Sequence, residues 1–135
     1  MKELERVLQT MDFEFFGAGK HKIDVDRLLT MGNAVFLDVR SYPEVESLQF
    51  GLKYHVEVLH IPIDEVPSRI SEIPRDKTVG IFCSGGTRSA IVYAFLLTKG
   101  YENVRIVQGG YEAIANLILP GRLLKHIQKS KSGAE

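Results

Sequence analysis

Strand-length apolar runs alternate with helical patterns along most of this chain, and this alternation restricts the fold more than any other feature. The apolar runs lie at residues 34–37, 56–61, 78–82 and 104–107. Helical patterns accompany them near residues 42–50, 64–72, 89–99 and 111–119. Continuous apolar runs are typical of parallel strands that are covered on both faces, and right-handed helical crossovers join such strands. The pattern therefore predicts an α/β fold with a mostly parallel sheet.

Further helices are predicted outside this alternation. Apolar residues at helical spacing predict an amphipathic helix over residues 1 to about 16, and a break follows at residues 17–20. Asp24 is a suitable cap for a short helix through Leu29, which Gly32 would end. After Pro120, one more helix is predicted at residues 122–129, followed by a frayed tail.

The composition excludes several classes of function. The 135 residues contain 17 basic and 17 acidic side chains, so the net charge is zero and favours neither nucleic-acid nor membrane-surface binding. The first residues are charged and resemble no targeting signal. The four histidines lack Cys, Asp or Glu neighbours at metal-ligand spacing, so we expect no metal and no cofactor. A single cysteine excludes an internal disulfide and predicts a cytoplasmic location.

The only cysteine, Cys83, opens a loop between the apolar run at 78–82 and the following helix. Ligands of parallel α/β sheets bind beyond the carboxyl ends of the strands. This rule places four segments at one edge of the sheet: residues 38–41, 62–65, 83–89 and 108–110. An inert core cysteine belongs more naturally within a strand or on a helix face, so the position of Cys83 predicts a functional thiol.

The loop sequence favours a negative charge on the sulfur. Two adjacent glycines, Gly85 and Gly86, allow backbone N–H groups to converge, and the following helix N-terminus favours an anion. Arg88 adds a positive charge. The hydroxyls that can donate hydrogen bonds belong to Ser84, Thr87 and Ser89. The loop therefore predicts a stabilised thiolate or a sulfur-bound anion.

Structural roles remain open for each of these residues. Cys83 could instead be a small buried apolar residue, with the glycines merely forming a turn. Arg88 could bind substrate, or it could brace the loop by pairing with Asp38 or another carboxylate. Asp38 and Arg40 lie at the predicted edge, where charges either support the site or only hold the structure together.

The motifs and their order resemble those of the rhodanese-like, single-domain sulfurtransferase family. The central match is the loop pattern Cys-x-x-Gly-x-Arg-Ser over residues 83–89. The other matching elements are residues 36–40 (Phe-Leu-Asp-Val-Arg), 60–63 (His-Ile-Pro-Ile), 100–104 and 108–110 (Gln-Gly-Gly). The resemblance covers roughly residues 21 to 119.

The resemblance implies a five-stranded, mostly parallel sheet flanked by helices, and the predicted N-terminal helix is an addition outside the shared region. It divides the chain into an N-terminal helix and linker at residues 1–20, a rhodanese-like domain at 21–129 and a flexible tail at 130–135. Cys83 would be the catalytic nucleophile. The substrate-binding residues would be Ser84, Gly85, Gly86, Thr87, Arg88 and Ser89, with Asp38 and Arg40 in support.

The implied activity is transfer of a sulfane sulfur through a Cys83 persulfide. Its partners would be a small sulfur donor, thiosulfate or a persulfide, and a thiol, cyanide or protein acceptor. Phosphatases and arsenate reductases of similar fold place their arginine one residue farther along, whereas Arg88 is five residues after Cys83. The shorter loop suits a single sulfur atom and disfavours those activities.

Departures from the family pattern leave an alternative open. Residues 51–56 replace the usual Gly-His-Ile-Pro-Gly-Ala segment, and Tyr111 or Ile114 would fill the space of a common tryptophan. The residue after Cys83 is not basic, so donors of lower charge are as plausible as thiosulfate. The alternative function is a non-catalytic module that binds a partner or senses redox state. Its contacts would use the N-terminal helix, also a candidate homodimer contact, or the basic side chains at Arg122, Lys125, Lys129 and Lys131.

Overall fold

The centre of the fold is a five-stranded sheet, seen in a computed structural model that describes residues 2–117. The strands are β1 (Lys22–Ile23), β2 (Ala34–Asp38), β3 (Glu57–His60), β4 (Thr78–Phe82) and β5 (Val104–Val107). Their spatial order is β1-β5-β4-β2-β3, and every neighbouring pair is parallel. The predicted α/β class is confirmed, and β4 occupies the centre of the sheet.

Six helices surround this sheet in the described residues. They are α1 (Lys2–Gln9), α2 (Phe13–Ala18), α3 (Val25–Thr30), α4 (Tyr42–Ser47), α5 (Thr87–Thr98) and α6 (Gly110–Leu117). None of them is long and apolar enough to cross a membrane.

The two faces of the sheet bury separate apolar clusters because side chains alternate along each strand. Leu37, Ile81 and Cys83 belong to one cluster, together with Leu96 of α5. Phe36 and Phe82 belong to the other cluster, which includes residues of α3 and α6. The side chain of Cys83 therefore lies on the α5 side of the sheet.

The N-terminal segment is two helices, not the single helix predicted for residues 1 to about 16. α1 ends at Gln9, and the Asp12 side chain starts α2 by accepting a hydrogen bond from the Phe15 N–H at 2.9 Å. Gly19 ends α2 in the left-handed conformation at φ 67°. A side-chain cap between two apolar stretches explains why helical spacing alone missed the interruption. α1 packs against α5 and covers part of the domain.

The helix predicted for residues 64–72 is also wrong. That segment holds two separate 3₁₀ turns, Ile63–Glu65 and Ile70–Glu72. Pro67 lies between them and has no backbone N–H, so it cannot donate the hydrogen bond that would continue a helix through this segment. The hydroxyl of Tyr101 donates to the carbonyl oxygen of Ile73 at 2.7 Å and so ties the second turn to the domain.

Smaller differences concern the ends of elements. The first strand, β1, has only two residues and was too short for the apolar pattern to reveal. α3 ends at Thr30 with Met31 as its cap, so Gly32 is not the terminating residue. α4 ends at Ser47, short of the predicted residue 50. The predicted helix at 122–129, the tail at 130–135 and the basic side chains from Arg122 to Lys131 lie outside the described residues.

Candidate active site at the Cys83 loop

Cys83 directly follows the central strand, where the ends of three neighbouring strands meet. The Val39 N–H donates to the Phe82 carbonyl at 3.0 Å, and the Ile61 N–H donates to the Asp38 carbonyl at 3.0 Å. These bonds continue the parallel pairing one residue beyond the ends of β2 and β3. The segments that follow β2 and β3 are therefore held beside the cysteine loop, at the edge where the sequence predicted them.

The sulfur of Cys83 accepts hydrogen bonds from backbone N–H groups. The Gly86 N–H lies 3.0 Å from Sγ and the Ser89 N–H lies 3.3 Å from it. Gly86 adopts φ 93°, a conformation that costs glycine little, and it immediately precedes α5. The hydroxyl of Ser89 is fully buried and has no regular hydrogen-bond partner among the described residues, which leaves it available to an anion at the sulfur.

These contacts favour the thiolate form of Cys83. Burial raises the pKa of the thiol, but the Ser89 side chain and the N–H groups of Ser89, Gly86 and Gly85 lower it by more. The resulting pKa is below the ordinary value for cysteine. A thiolate is the reactive form in nucleophilic and sulfur-exchange chemistry, so this environment suits the role that the loop sequence predicts for Cys83.

Reactivity of Cys83 should persist at lower pH than that of an ordinary thiol. Because only the thiolate reacts, the alkylation rate should fall as the pH decreases through the lowered pKa, below the usual midpoint of about 8.5. Ser89→Ala should move this midpoint upward because one stabilising group is lost. The measurement is the rate of iodoacetamide alkylation against pH, with free cysteine as the reference. A midpoint at or above that of free cysteine would contradict the assignment.

Arg88 pairs with a residue that the sequence analysis did not select. Its Nη1 and Nη2 atoms donate to the two carboxylate oxygens of Glu44, at 2.6 Å and 2.9 Å. Nη2 also donates to the Ser84 hydroxyl oxygen at 3.0 Å, across the loop. The carboxylate partner is therefore Glu44 and not Asp38. The Arg88 guanidinium braces the loop against α4, while the Thr87 side chain is exposed at the start of α5.

Asp38 and Arg40 pair with each other on the opposite face of the sheet from the Cys83 side chain. Arg40 Nη2 and Asp38 Oδ2 are 2.7 Å apart, and both residues are buried. The guanidinium carbon lies 5.0 Å and 5.4 Å from the ring centroids of Phe50 and Phe82, and Nη1 donates to the Tyr111 hydroxyl at 3.2 Å. The pair thus stabilises the carboxyl edge of the sheet from the face opposite the Cys83 side chain. Neither residue has a described contact with the sulfur.

The glycine pair after β5 packs directly against the cysteine loop. A Cβ atom at Gly110 would lie 2.7 Å from the Ser84 carbonyl oxygen, which is closer than real Cβ contacts allow. The same glycine has φ 55°, in the left-handed region. In the helix that follows, Ile114 is fully buried, and the ring centroid of Tyr111 lies 5.9 Å from that of Phe82.

Gly110→Ala should displace the Ser84 end of the loop and reduce the reactivity of Cys83. We expect a loss of about tenfold in the alkylation rate, since small displacements of a preorganised site have effects of this order or larger. Gly51→Ala is the matched control, because Gly51 also has a positive φ, 67°, but a Cβ there would meet nothing within 4 Å. Equal losses in both variants would show that backbone strain alone, and not contact with the loop, is responsible.

Glu44 is the main site residue that sequence reasoning missed. Ser41 and Glu44 form a capping box at the start of α4, and the Ser-x-x-Glu spacing is visible in the sequence. That signal identifies a helix start but not a partner 44 residues farther along the chain. The pairing with Arg88 depends on how α4 packs beside the loop, which only the structure shows.

Comparisons with known proteins agree with this architecture. Among curated proteins, a sulfurtransferase from Allochromatium vinosum is 33% identical over 94 residues, which cover 70% of this chain and 83% of that protein. A rhodanese-related protein from Thermoplasma volcanium superposes with a TM-score of 0.59 at 25% identity and covers 74% of this chain and 95% of its own.

A longer protein carries a similar domain. An NAD-dependent persulfide reductase from A. fulgidus matches with a TM-score of 0.56 at 35% identity, over 73% of this chain. The matched region is only 16% of that protein's chain, so the likeness concerns one part of it. The family description "Rhodanese-like domain" matches residues 22–117. With the fold, the loop and these relatives in agreement, the chain belongs to the rhodanese-like family and is of the sulfurtransferase type.

Proposed function

We propose that this protein transfers a sulfane sulfur from thiosulfate or a persulfide donor to an external acceptor through a persulfide on Cys83. The thiolate attacks the outer sulfur of the donor, forms an S–S bond and breaks the donor's own bond to that sulfur. With thiosulfate, the products are the Cys83 persulfide anion and sulfite. With an organic persulfide, a thiolate leaves instead.

The observation that carries the proposal is the set of donors around the Cys83 sulfur. Two backbone N–H groups reach Sγ at 3.0 Å and 3.3 Å, and the buried Ser89 hydroxyl, which forms no regular hydrogen bond within residues 2–117, also lowers the pKa of the Cys83 thiol. Fixed donors of this kind stabilise the attacking thiolate and the persulfide anion that replaces it. The roles of Gly85, Gly86 and Ser89 in this proposal are to present those donors.

The acceptor must be another molecule. Because Cys83 is the only cysteine in the chain, no second thiol of this chain can resolve the persulfide. A small thiol, cyanide or a protein acceptor must attack the outer sulfur and restore the thiolate. This cycle needs a reduced cysteine, so we place the protein in a reducing compartment such as the cytoplasm.

The relatives support the proposed chemistry. The curated relative from Allochromatium vinosum is named a sulfurtransferase, and the A. fulgidus relative is named a persulfide reductase. The first name denotes transfer of sulfur, and the second denotes a reaction on a persulfide. The persulfide donor proposed for this chain follows from the second name, and thiosulfate follows from the resemblance to sulfurtransferases.

Intact-mass spectrometry of the full chain after donor treatment tests the proposal. We expect the mass to increase by one sulfur atom with a sulfane donor and to return to its original value when cyanide or a thiol is added. No gain of sulfur from thiosulfate, a thiosulfonate or an organic persulfide would overturn the proposal and support the non-catalytic binding module instead.

A further inference from the structure

We infer that Glu44 sets the donor preference of the site by cancelling the charge of Arg88, which favours sulfur donors of lower negative charge over dianionic thiosulfate. This inference rests on the proposed sulfur-transfer function and concerns the same site. It assigns a specificity role to a residue on α4, outside the cysteine loop.

The geometry of the pair is bidentate, and Glu44 is the principal partner of the guanidinium. Arg88 uses both terminal nitrogens on the two Glu44 oxygens, and its remaining described hydrogen bond goes to Ser84. Bidentate guanidinium–carboxylate pairs are stronger and more directional than single contacts. The guanidinium is therefore committed to a carboxylate of this chain, and an incoming anion must compete with that carboxylate.

Glu44 is itself held in place from the opposite side. Its Oε1 atom accepts from the Ser41 N–H at 3.0 Å and from the Ser41 hydroxyl at 2.8 Å. These bonds form part of the capping box of α4, so the carboxylate cannot turn away without weakening the helix start. The Arg88 guanidinium and the Ser41 donors hold the pKa of Glu44 far below its ordinary value, and the carboxylate stays charged at neutral pH.

As a consequence, the Arg88 guanidinium brings no excess positive charge to the Cys83 loop, because the Glu44 carboxylate neutralises it. The side chains of Ser84, Thr87 and Ser89 are uncharged. On the other side of the edge, Arg40 is likewise paired, with Asp38. A dianionic donor can therefore bind backbone N–H groups, but these two neutral pairs supply no net positive charge to offset the cost of removing its hydration. A monoanionic donor has a smaller dehydration cost and is disfavoured less.

Two donors of similar size isolate this effect because they differ by one charge. Thiosulfate is a dianion, and methanethiosulfonate replaces one of its charged oxygens with a methyl group. In both reactions the Cys83 thiolate bonds to the terminal sulfur while the S–S bond of the donor breaks. The leaving groups are sulfite and methanesulfinate, so the two steps are chemically parallel.

The experiment measures kcat/KM for both donors, with cyanide as acceptor, in the wild-type protein and in Glu44→Gln. Glutamine keeps the size and an oxygen that can accept from Ser41, but it removes the charge. We expect the thiosulfate-to-methanethiosulfonate ratio to rise about tenfold in Glu44→Gln, as one partly solvated charge at short range can contribute. Added salt should then reduce the thiosulfate rate more strongly in this variant than in the wild type.

The matched control is Glu57→Gln. Glu57 forms an exposed ion pair with Lys77 at 2.8 Å, at the amino end of β3 and so at the opposite edge of the sheet from Cys83. Glu57→Gln changes the net charge of the protein by the same amount as Glu44→Gln. It should leave the thiosulfate-to-methanethiosulfonate ratio unaltered. An unchanged ratio in Glu44→Gln, or an equal fall for both donors, would overturn the inference. If wild-type Cys83 accepts sulfur from neither donor, this inference fails, and mass measurement with an organic persulfide then decides whether the proposed function fails as well.

Discussion

Cys83→Ser should abolish sulfur transfer, with at least about a thousandfold loss of turnover, while the fold is retained. A serine hydroxyl remains protonated at neutral pH and cannot form a persulfide. The Gly86 and Ser89 N–H groups that face the sulfur would still have an oxygen as acceptor. The assay is donor-to-cyanide sulfur transfer, combined with intact-mass measurement of the variant after donor treatment.

The thermal unfolding midpoint provides the control for this variant. Serine is close to cysteine in size, so we expect a shift of only a few degrees, since replacing a buried thiol with a hydroxyl costs on the order of 1 kcal/mol. A variant that retains its midpoint but loses activity shows a chemical role for Cys83. Substantial turnover in Cys83→Ser would exclude the cysteine mechanism altogether.

The sequence was sufficient to predict the central strands β2 and β4 because they are buried on both faces. After Thr78, the run at 78–82 contains no polar side chain, and Val79, Ile81 and Phe82 are fully buried in the structure. Burial on both faces produces a continuous apolar run that local patterns detect. Because parallel strands end at a common edge, the same pattern also predicts that the Cys83 loop and its neighbouring segments lie together there.

The parts that could not be predicted depend on long-range or very local effects. The partner of Arg88 is chosen by the packing of α4 beside the loop, and helical spacing carries no information on that choice. Two 3₁₀ turns on either side of Pro67 stand where a helix was predicted, although the proline can be read in the sequence. The Asp12 cap divided the N-terminal helix for a similarly local reason.

The second large effect should appear in stability. Asp38→Asn should lower the free energy of unfolding by about 3–5 kcal/mol, because it leaves a buried guanidinium without its counter-charge. Arg40 is only 1% exposed, so water cannot replace the lost carboxylate. Burial lowers the pKa of Arg40, but the hydrogen bonds to Asp38 and Tyr111 raise it by more, and the group remains charged in the fold.

Urea unfolding of a double-mutant set measures this coupling. Asp38→Asn and Arg40→Met should each be strongly destabilised, whereas the double variant should lose much less than the sum, because no lone buried charge remains. Tyr111→Phe removes only the hydroxyl that Arg40 contacts at 3.2 Å and should cost about 1 kcal/mol.

The exposed Glu57–Lys77 ion pair is the reference for a small effect on the free energy of unfolding. Glu57→Gln should change the free energy of unfolding by less than about 1 kcal/mol, because water screens this ion pair and can solvate either partner alone. If the losses at Asp38 and Arg40 were additive and as small as this, the buried pair would have no structural role. We expect strong coupling between Asp38 and Arg40, together with near-normal alkylation of Cys83 in the fraction of each variant that remains folded. That result would show that the buried pair stabilises the sheet edge and has no part in the reactivity of the Cys83 loop.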